Sequence, residues 1–324
     1  MESNRQRFVI DLTTSEGRLD RFTSICHMLP SRGVSSIGAL RGEIERELGL
    51  TNAKVVRRHL RAMETLGSLV RDEPGYALSK EGRVVRVLVP WRSRQARPLG
   101  TAEKVFYLRT LTVHVPLQLE SMLLAISGVS SRDGQRCLAD YARRLVKVGV
   151  PWKDADLIAQ GLTRQPGPLP RKLRNNFDCL RLWMRQLGLV ESEGLVLTPM
   201  GRWLAANMER PAERRETIYV AGSAYVCGSP GCLRTYDDRR DRWELTEMLR
   251  DAYSRFGTPG LGMASVVSIA LYVCIQGVVR NRWVLSEDRF EMVLRSLARG
   301  GVVESLMTGR DGTLAYMSLG ADDR

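Results

Sequence analysis

Lys54, Arg57, Arg58 and Arg61 recur at three- and four-residue spacing between Thr51 and Leu66. On a helix of 3.6 residues per turn, that spacing gathers them on one side. Val56, Leu60 and Met63 fall on the other. Such a helix is held on its domain by the apolar stripe while the cations meet phosphates and base edges. Glu64 is its single acid, whereas a merely solvated face mixes signs. Thr51 is the expected N-cap. Thr51, Asn52, Lys54, Arg57, Arg58 and Arg61 therefore form the first candidate DNA-contacting set, with a solvated outer face as the competing reading.

A second set, Arg171, Lys172, Arg174, Asn175 and Asn176, clusters at the start of another amphipathic stretch, with Arg181 and Arg185 further along. Asn pairs bidentately with adenine and Arg with guanine, and a helix N-terminus favours phosphate. Capping residues plus solvated charge compete with that reading. A third set is the arm Arg83, Arg86, Trp91, Arg92, Arg94 and Arg97, read either as a backbone or minor-groove contact or as a basic linker.

Other chemistry is sparse. Cys227 and Cys232 have metal-like spacing, but zinc takes about four ligands. His27, His59 and His114 all lie far away in sequence. The pair reads as a turn with two thiols, and the six scattered cysteines as reduced thiols. The sequence has no Gly-rich Lys-Ser/Thr phosphate loop, no His-Glu-x-x-His and no Gly-x-Ser-x-Gly elbow. His59, among the helix arginines, reads as a surface or DNA-facing group. Asp237-Asp238 reads as solvated acid in a mixed-charge loop. No catalytic set, cofactor or metal is expected, although the carboxylates of a metal nuclease need not be neighbours in sequence.

The elements that position these residues follow from a weak internal repeat: a helix ending in Gly, a strand, a turn, a second strand. Its three copies run through Leu66-Gly67 to Ser79, Leu187-Gly188 to Thr198, and Gly300-Gly301 to Met317. Each predicts a glycine-capped helix feeding a β-hairpin. Helical stripes precede them at Ile37, Leu40, Ile44 and Leu48, at Leu173, Phe177, Leu180, Met184 and Leu187, and at Phe290, Val293, Leu294 and Leu297, the last behind the cap Ser286. Tyr107 to Val150 also reads as helical. Arg92–Gly100, Gln165–Pro170, Glu209–Glu216 and Arg234–Arg242 read as joints.

Helix, Gly-Leu-Thr turn, helix and two-stranded wing together resemble the winged helix-turn-helix superfamily. Thr51–Leu60 with Leu66-Gly67 and Leu78–Gly82 is the strongest match, and Leu187–Val190 with Leu197–Leu204 the next. The resemblance implies a mainly α fold with small β-hairpins (α+β) built from three tandem winged-helix domains, at 1–98, 99–212 and 213–324. It implies fold more firmly than function. Asp72-Glu73 and Glu191-Ser192-Glu193 put acid at two wing tips, where many relatives carry basic residues, so wing contacts are not expected.

Charge agrees with that division. The 324 residues carry a formal net charge of +13 and a pI near 9.9. Residues 1–100 hold 18 basic against 11 acidic side chains, residues 101–210 hold 16 against 10, and residues 211–324 hold 15 of each. The polyanionic partner, double-stranded DNA, belongs to the first two thirds. The last third, whose third helix opens Ser286-Glu287-Asp288, is expected to bind protein partners, to self-associate or to serve as scaffold. The excess of 43 Arg over 6 Lys fits a GC-rich genome as well as phosphate binding. Met1–Leu12 lacks an apolar core, so a cytoplasmic protein without a secretory signal is expected. Leu261–Val279 is uncharged and long enough to span a bilayer, but its Gly, Ser and Gln residues favour a buried core helix. The expected function is duplex-DNA binding, as a regulator or the recognition part of a larger assembly. The alternative is an interaction scaffold that docks onto partner proteins.

Overall fold

The computed structural model describes residues 17–91, 97–128, 134–148, 171–208, 219, 222–223, 225–228, 232–258 and 261–320, except the side chain of Lys172. It is mainly helical with small sheets. The first segment runs α1 (Leu19–Met28), β1 (Ser35–Ser36), α2 (Ile37–Leu48), α3 (Ala53–Thr65), β2 (Leu69–Asp72), β3 (Gly75–Leu78) and α4 (Lys80–Leu88). Ser36 caps α2 by accepting from the amide of Ala39 at 3.2 Å. Gly49 ends α2 in the left-handed region, at φ 66°. The cap of α3 is Asn52, whose side chain accepts from the Lys54 amide at 2.9 Å, rather than the expected Thr51. The strands form an antiparallel sheet in the order β1-β3-β2, with Ser35 opposite Tyr76 and Leu69 opposite Leu78.

The middle segment holds α5 (Thr101–His114), α6 (Pro116–Ser127), α7 (Gly134–Lys147), α8 (Arg171–Gln186) and α9 (Pro199–Asn207). Its expected hairpin is reduced to one bridge, Val190 to Leu197. One local device nevertheless recurs. The Ser79 hydroxyl donates to the Gly67 carbonyl at 2.5 Å and accepts from the Gly82 amide at 2.9 Å. The Thr198 hydroxyl donates to the Gly188 carbonyl at 2.7 Å and accepts from the Gly201 amide at 3.1 Å. A Cβ at Gly82 would strike the Ser68 carbonyl oxygen, and one at Gly201 that of Leu189. Both glycines are therefore dictated by close backbone approach.

The last segment holds β4 (Arg234–Thr235), α10 (Asp238–Phe256), β5 (Ala264–Ser265), α11 (Val266–Gln276), a π turn at Gly277–Asn281, β6 (Trp283–Val284), α12 (Glu287–Arg299), β7 (Val303–Thr308) and β8 (Leu314–Leu319). Its three-stranded sheet has the order β5-β8-β7. From α10 onward, setting aside the short parallel pair β4–β6, the element order repeats that of the first segment. Arg234–Arg242 is thus no connector. Asp237 caps α10, accepting from the amides of Arg239 at 2.9 Å and Arg240 at 3.2 Å, and buried Asp241 pairs with Arg234. The Asp237-Asp238 acids serve a helix start, which favours negative charge. The uncharged stretch delivers the buried helix α11, and among the described residues no helix is long and apolar enough to cross a membrane. The remaining expected joints Gln165–Pro170 and Glu209–Glu216 lie outside the described residues. Cys227 and Cys232 form a disulfide, which corrects the reading of all six cysteines as thiols; Cys26, Cys137, Cys179 and Cys274 are free and buried.

Buried polar groups tie the segments together. Arg109 of α5 makes a fork to Glu287 of α12, with Nε to Oε1 at 3.0 Å and Nη2 to Oε2 at 2.9 Å. Its Nη1 reaches Glu81 of α4 at 2.5 Å. Glu81 also accepts from His114 Nε2 at 2.8 Å, and Glu287 from the Tyr219 hydroxyl at 3.0 Å. Nearby, the Thr23 hydroxyl of α1 contacts Glu103 at 2.6 Å and Tyr107 at 2.8 Å, both on α5. The Leu19 amide donates to Gln186 at the end of α8, at 2.9 Å.

Removing one member of such a set leaves charges that water reaches only poorly. Arg109→Ala is expected to lose about 3–5 kcal/mol in urea denaturation at neutral pH; a loss under about 1 kcal/mol refutes the joint. Burial pushes the Glu81 carboxyl up, but the hydrogen bond from His114 and the charge of Arg109 outweigh it and hold the group below its ordinary 4.5. Its share of stability is complete above about pH 4.5 and is lost as pH falls through the folded value. Glu81→Gln should therefore flatten the acid limb of a stability–pH curve; an unchanged limb contradicts this.

Candidate nucleic-acid interface

Helix α3 carries its two faces as the spacing predicts. Val56, Leu60 and Met63 are buried against the first segment's core. Lys54, Arg57 and Arg61 are exposed, and Arg58 is half-buried. Thr51 and Asn52 are exposed where the helix begins, and Asn52 is occupied as its cap. His59 is neither a surface nor a DNA-facing group. It is fully buried, its Nδ1–H donates to the Val55 carbonyl at 2.9 Å, and its ring meets Phe22 edge-on. The first set of candidates thus gathers on one accessible helix and the two residues that precede it.

The hairpin adds a residue that the sequence reading passed over. Arg71 is exposed on β2, directly opposite Tyr76. The Tyr76 hydroxyl is raised chiefly by burial, with the charge of Glu64 adding to the rise and those of Arg71 and Arg61 opposing it. Arg61, Arg71 and the exposed acid Glu64 therefore share one neighbourhood, so the helix cations continue towards the hairpin with one acid among them. Period two from buried Leu69 would turn Arg71 inward, so the sequence pattern gave no signal for its exposure. Asp72 and Glu73 are exposed at the tip, so the positive surface stops short of it.

The second set is divided. Arg171 and Arg174 are exposed at the start of α8, and Asn175 is half-buried. Asn176 is 1% exposed and accepts from the Tyr141 hydroxyl at 2.5 Å, so it packs the interior instead of reading a base. Arg181 pairs with Asp178 at 3.3 Å, and Arg185 donates to the Gly194 carbonyl at 2.7 Å. The Lys172 side chain lies outside the described residues.

The arm is likewise redirected. Arg97 forks onto Glu103, at 2.7 and 3.1 Å, and so belongs to a packed joint rather than a DNA-reaching arm. Arg86 donates to the Leu29 carbonyl. Trp91 packs edge-on against His27, and Arg83 is exposed. Arg92 and Arg94 lie outside the described residues.

Each key helix ends at a left-handed glycine: Gly67 at φ 69°, Gly188 at 71° and Gly301 at 80°. Counting back from these glycines puts the three helices in register. Buried Val56 and Met63 then align with buried Phe177 and Met184, and with buried Phe290 and Leu297. Lys54, Arg57, Arg58 and Arg61 align with Asn175, Asp178, Cys179 and Leu182 in the second helix, and with Asp288, Glu291, Met292 and Arg295 in the third. Only the first helix is cationic at all four places. Among the described residues there is no cluster of His, Cys, Asp or Glu able to hold a metal ion. No family model, no curated protein and no solved structure matches the chain.

Asn176→Ala tests the interior role of that residue. It strands the Tyr141 hydroxyl and should cost about 1–3 kcal/mol in thermal or urea unfolding. An undiminished melting temperature would return Asn176 to the surface candidates.

Proposed function

We propose that the chain is a duplex-DNA-binding protein whose first segment is a winged helix-turn-helix unit, acting as a regulator or as the recognition part of a larger assembly. The observation that carries this reading is α3. Its apolar face is buried, and its opposite face presents Lys54, Arg57 and Arg61 with Arg58 beside them. In this reading α3 lies in the major groove, with its cations on phosphates and guanine edges. The exposed Arg71 extends the contact along the neighbouring backbone. Further support comes from the element order α1-β1-α2-α3-β2-β3 with its β1-β3-β2 sheet, which suits a helix-turn-helix followed by a wing. The middle and last segments are further units of the same plan. In them the outward face of the key helix has lost most of its cations, Arg295 being the one aligned cation that remains, and they serve chiefly as scaffold.

The test is fluorescence anisotropy with a labelled random-sequence duplex over a series of salt concentrations. Log affinity should fall steeply with log salt, by about 0.9 for each phosphate contacted. Lys54→Ala, Arg57→Ala and Arg61→Ala together should weaken binding at least about tenfold and flatten that slope. All three side chains are exposed, so the melting temperature should hold. Undiminished binding in the triple variant refutes the assignment of α3, and absence of duplex binding at low salt refutes the function.

A further inference from the structure

We propose that the outward face of α10 seats single-stranded DNA, with an unpaired base stacked on Trp243 and the adjoining phosphates on Arg239 and Arg240. This adds a second contact to the DNA-binding reading and does not depend on α3. Trp243 is 74% exposed, although tryptophan is ordinarily well buried. Arg239 and Arg240 precede it by four and three residues, so the three side chains share one face of the helix. Both arginines are exposed, and neither side chain enters a hydrogen bond or an ion pair among the described residues. The acids around them are occupied. Asp237 accepts from the first amides of α10, and Asp238 pairs with Arg242 at 3.3 Å. Arg234 takes both oxygens of buried Asp241, so Arg240 only adds to the charge that this carboxylate feels. Glu244 accepts from Asn281 at 2.7 Å and from Trp283 at 3.3 Å. Glu247, one turn beyond Trp243, pairs with Arg250.

The neighbouring element adds to the positive charge. A Cβ at Gly300, where α12 ends, would come within 2.9 Å of the Arg242 guanidinium, and exposed Arg299 precedes that glycine. The last segment is neutral in total, yet this corner of it leaves cations unmatched. A duplex hides its base faces in the stack and presents edges and phosphates, so it offers nothing to cover a bare indole. An unpaired strand offers a π-face to the indole and phosphates to the arginines together. An acidic protein is the competing occupant. The anchors of protein interfaces are ringed by further contacts that exclude water, but α10 exposes no other large apolar side chain. A single indole beside two cations matches a nucleotide better than it matches an apolar protein surface.

Two kinds of attraction must be separated: a general pull on phosphate, and a seat built around Trp243. The probe is a labelled oligothymidylate of about 15 nucleotides, with an abasic strand of the same length as control. Anisotropy and tryptophan fluorescence are read on the full-length chain at about 50 mM salt, where screening is modest. The oligothymidylate should bind and quench the fluorescence, and the abasic strand should bind more weakly without quenching. Trp243→Ala should weaken oligothymidylate binding about tenfold, as loss of one stacked base does, and remove the quenching. Trp243→Phe should remove the quenching but retain most of the affinity. Arg239→Ala with Arg240→Ala should lower the slope of log affinity against log salt by about 1.4, at about 0.7 for each phosphate. All these variants should keep the melting temperature and duplex affinity of the parent, and the α3 triple variant should keep the quenching, so failure of either reading shows separately. Several results overturn the proposal: no binding of the oligothymidylate, equal binding of the abasic strand, or parent-like binding by Trp243→Ala. An acidic peptide that binds the parent and loses affinity with Trp243→Ala would assign the face to a protein instead and equally overturn it.

Discussion

Arg109 sits where three segments meet, with little of its guanidinium open to water. A guanidinium cannot relieve burial by losing its proton, so its surroundings must supply both charge and hydrogen-bond acceptors. Glu287 supplies a fork from α12, and Glu81 supplies a second carboxylate from α4. Burial lowers the arginine's proton affinity, but the two carboxylates more than restore it and hold it above its ordinary value. Each acid needs a further partner, and His114 and Tyr219 provide them. The His114 ring in turn lies against Gly67, where a Cβ would collide with it. The glycine that ends α3 is therefore constrained by its own left-handed turn and by a ring from the neighbouring segment. The orientation of the cationic helix is in this way coupled to the buried ion pairs.

This arrangement explains the acidic start of the third key helix. By local rules, Glu287 and Asp288 merely suit a helix N-terminus. The structure turns Glu287 inward to Arg109, while Asp288 remains on the surface. Adjacent residues of the same type thus have different roles, one joining the segments and one shaping an outer face. The same separation holds across the repeat. The hydroxyl device at Ser79 and Thr198 and the glycines Gly82 and Gly201 belong to the frame. The register positions of Lys54, Arg57 and Arg58 are outside it and have diverged to Asn175, Asp178 and Cys179, and to Asp288, Glu291 and Met292. Frame and face vary independently, so a shared plan does not require a shared ligand.

Much of the frame was legible because it rests on short-range rules. Period 3.6 located the buried stripes of α3, α8 and α12 and, in α2, buried Leu40 and Ile44 but not Ile37, which is exposed; glycines at left-handed turns located the helix ends. Four readings failed because a particular partner, and not the residue type, decided them. Asn176 looked like a base reader, but the Tyr141 hydroxyl claims it. Arg97 looked like part of a basic arm, but Glu103 claims it. His59 looked exposed among arginines, yet its position on the helix turns it towards Phe22. The Cys227–Cys232 disulfide needed a turn geometry that five residues of sequence separation permit but do not dictate. Arg71 escaped notice because period two from buried Leu69 turns it inward, whereas the short edge strand leaves it exposed.

Net charge and usable charge are different quantities in this chain. The first two thirds hold comparable positive excess, so both draw a polyanion at long range. Close contact requires cations that extend into solvent and are free to meet phosphate. In the middle segment Arg109 is buried, Arg143 and Arg144 lean on Asp140, Arg181 pairs with Asp178, and Arg202 donates to the Leu197 carbonyl. These pairs leave the net charge unchanged but fix the side chains in place, and a phosphate must displace an existing partner to reach most of them. On α3 the exposed Lys54, Arg57 and Arg61 project from a helix whose opposite side is fully buried. In the proposed DNA-binding reading, the middle segment would contribute to attraction more than to contact, and the first to both. A ledger of charges by segment gives the region of attraction; only the pairing of individual arginines gives the surface that touches.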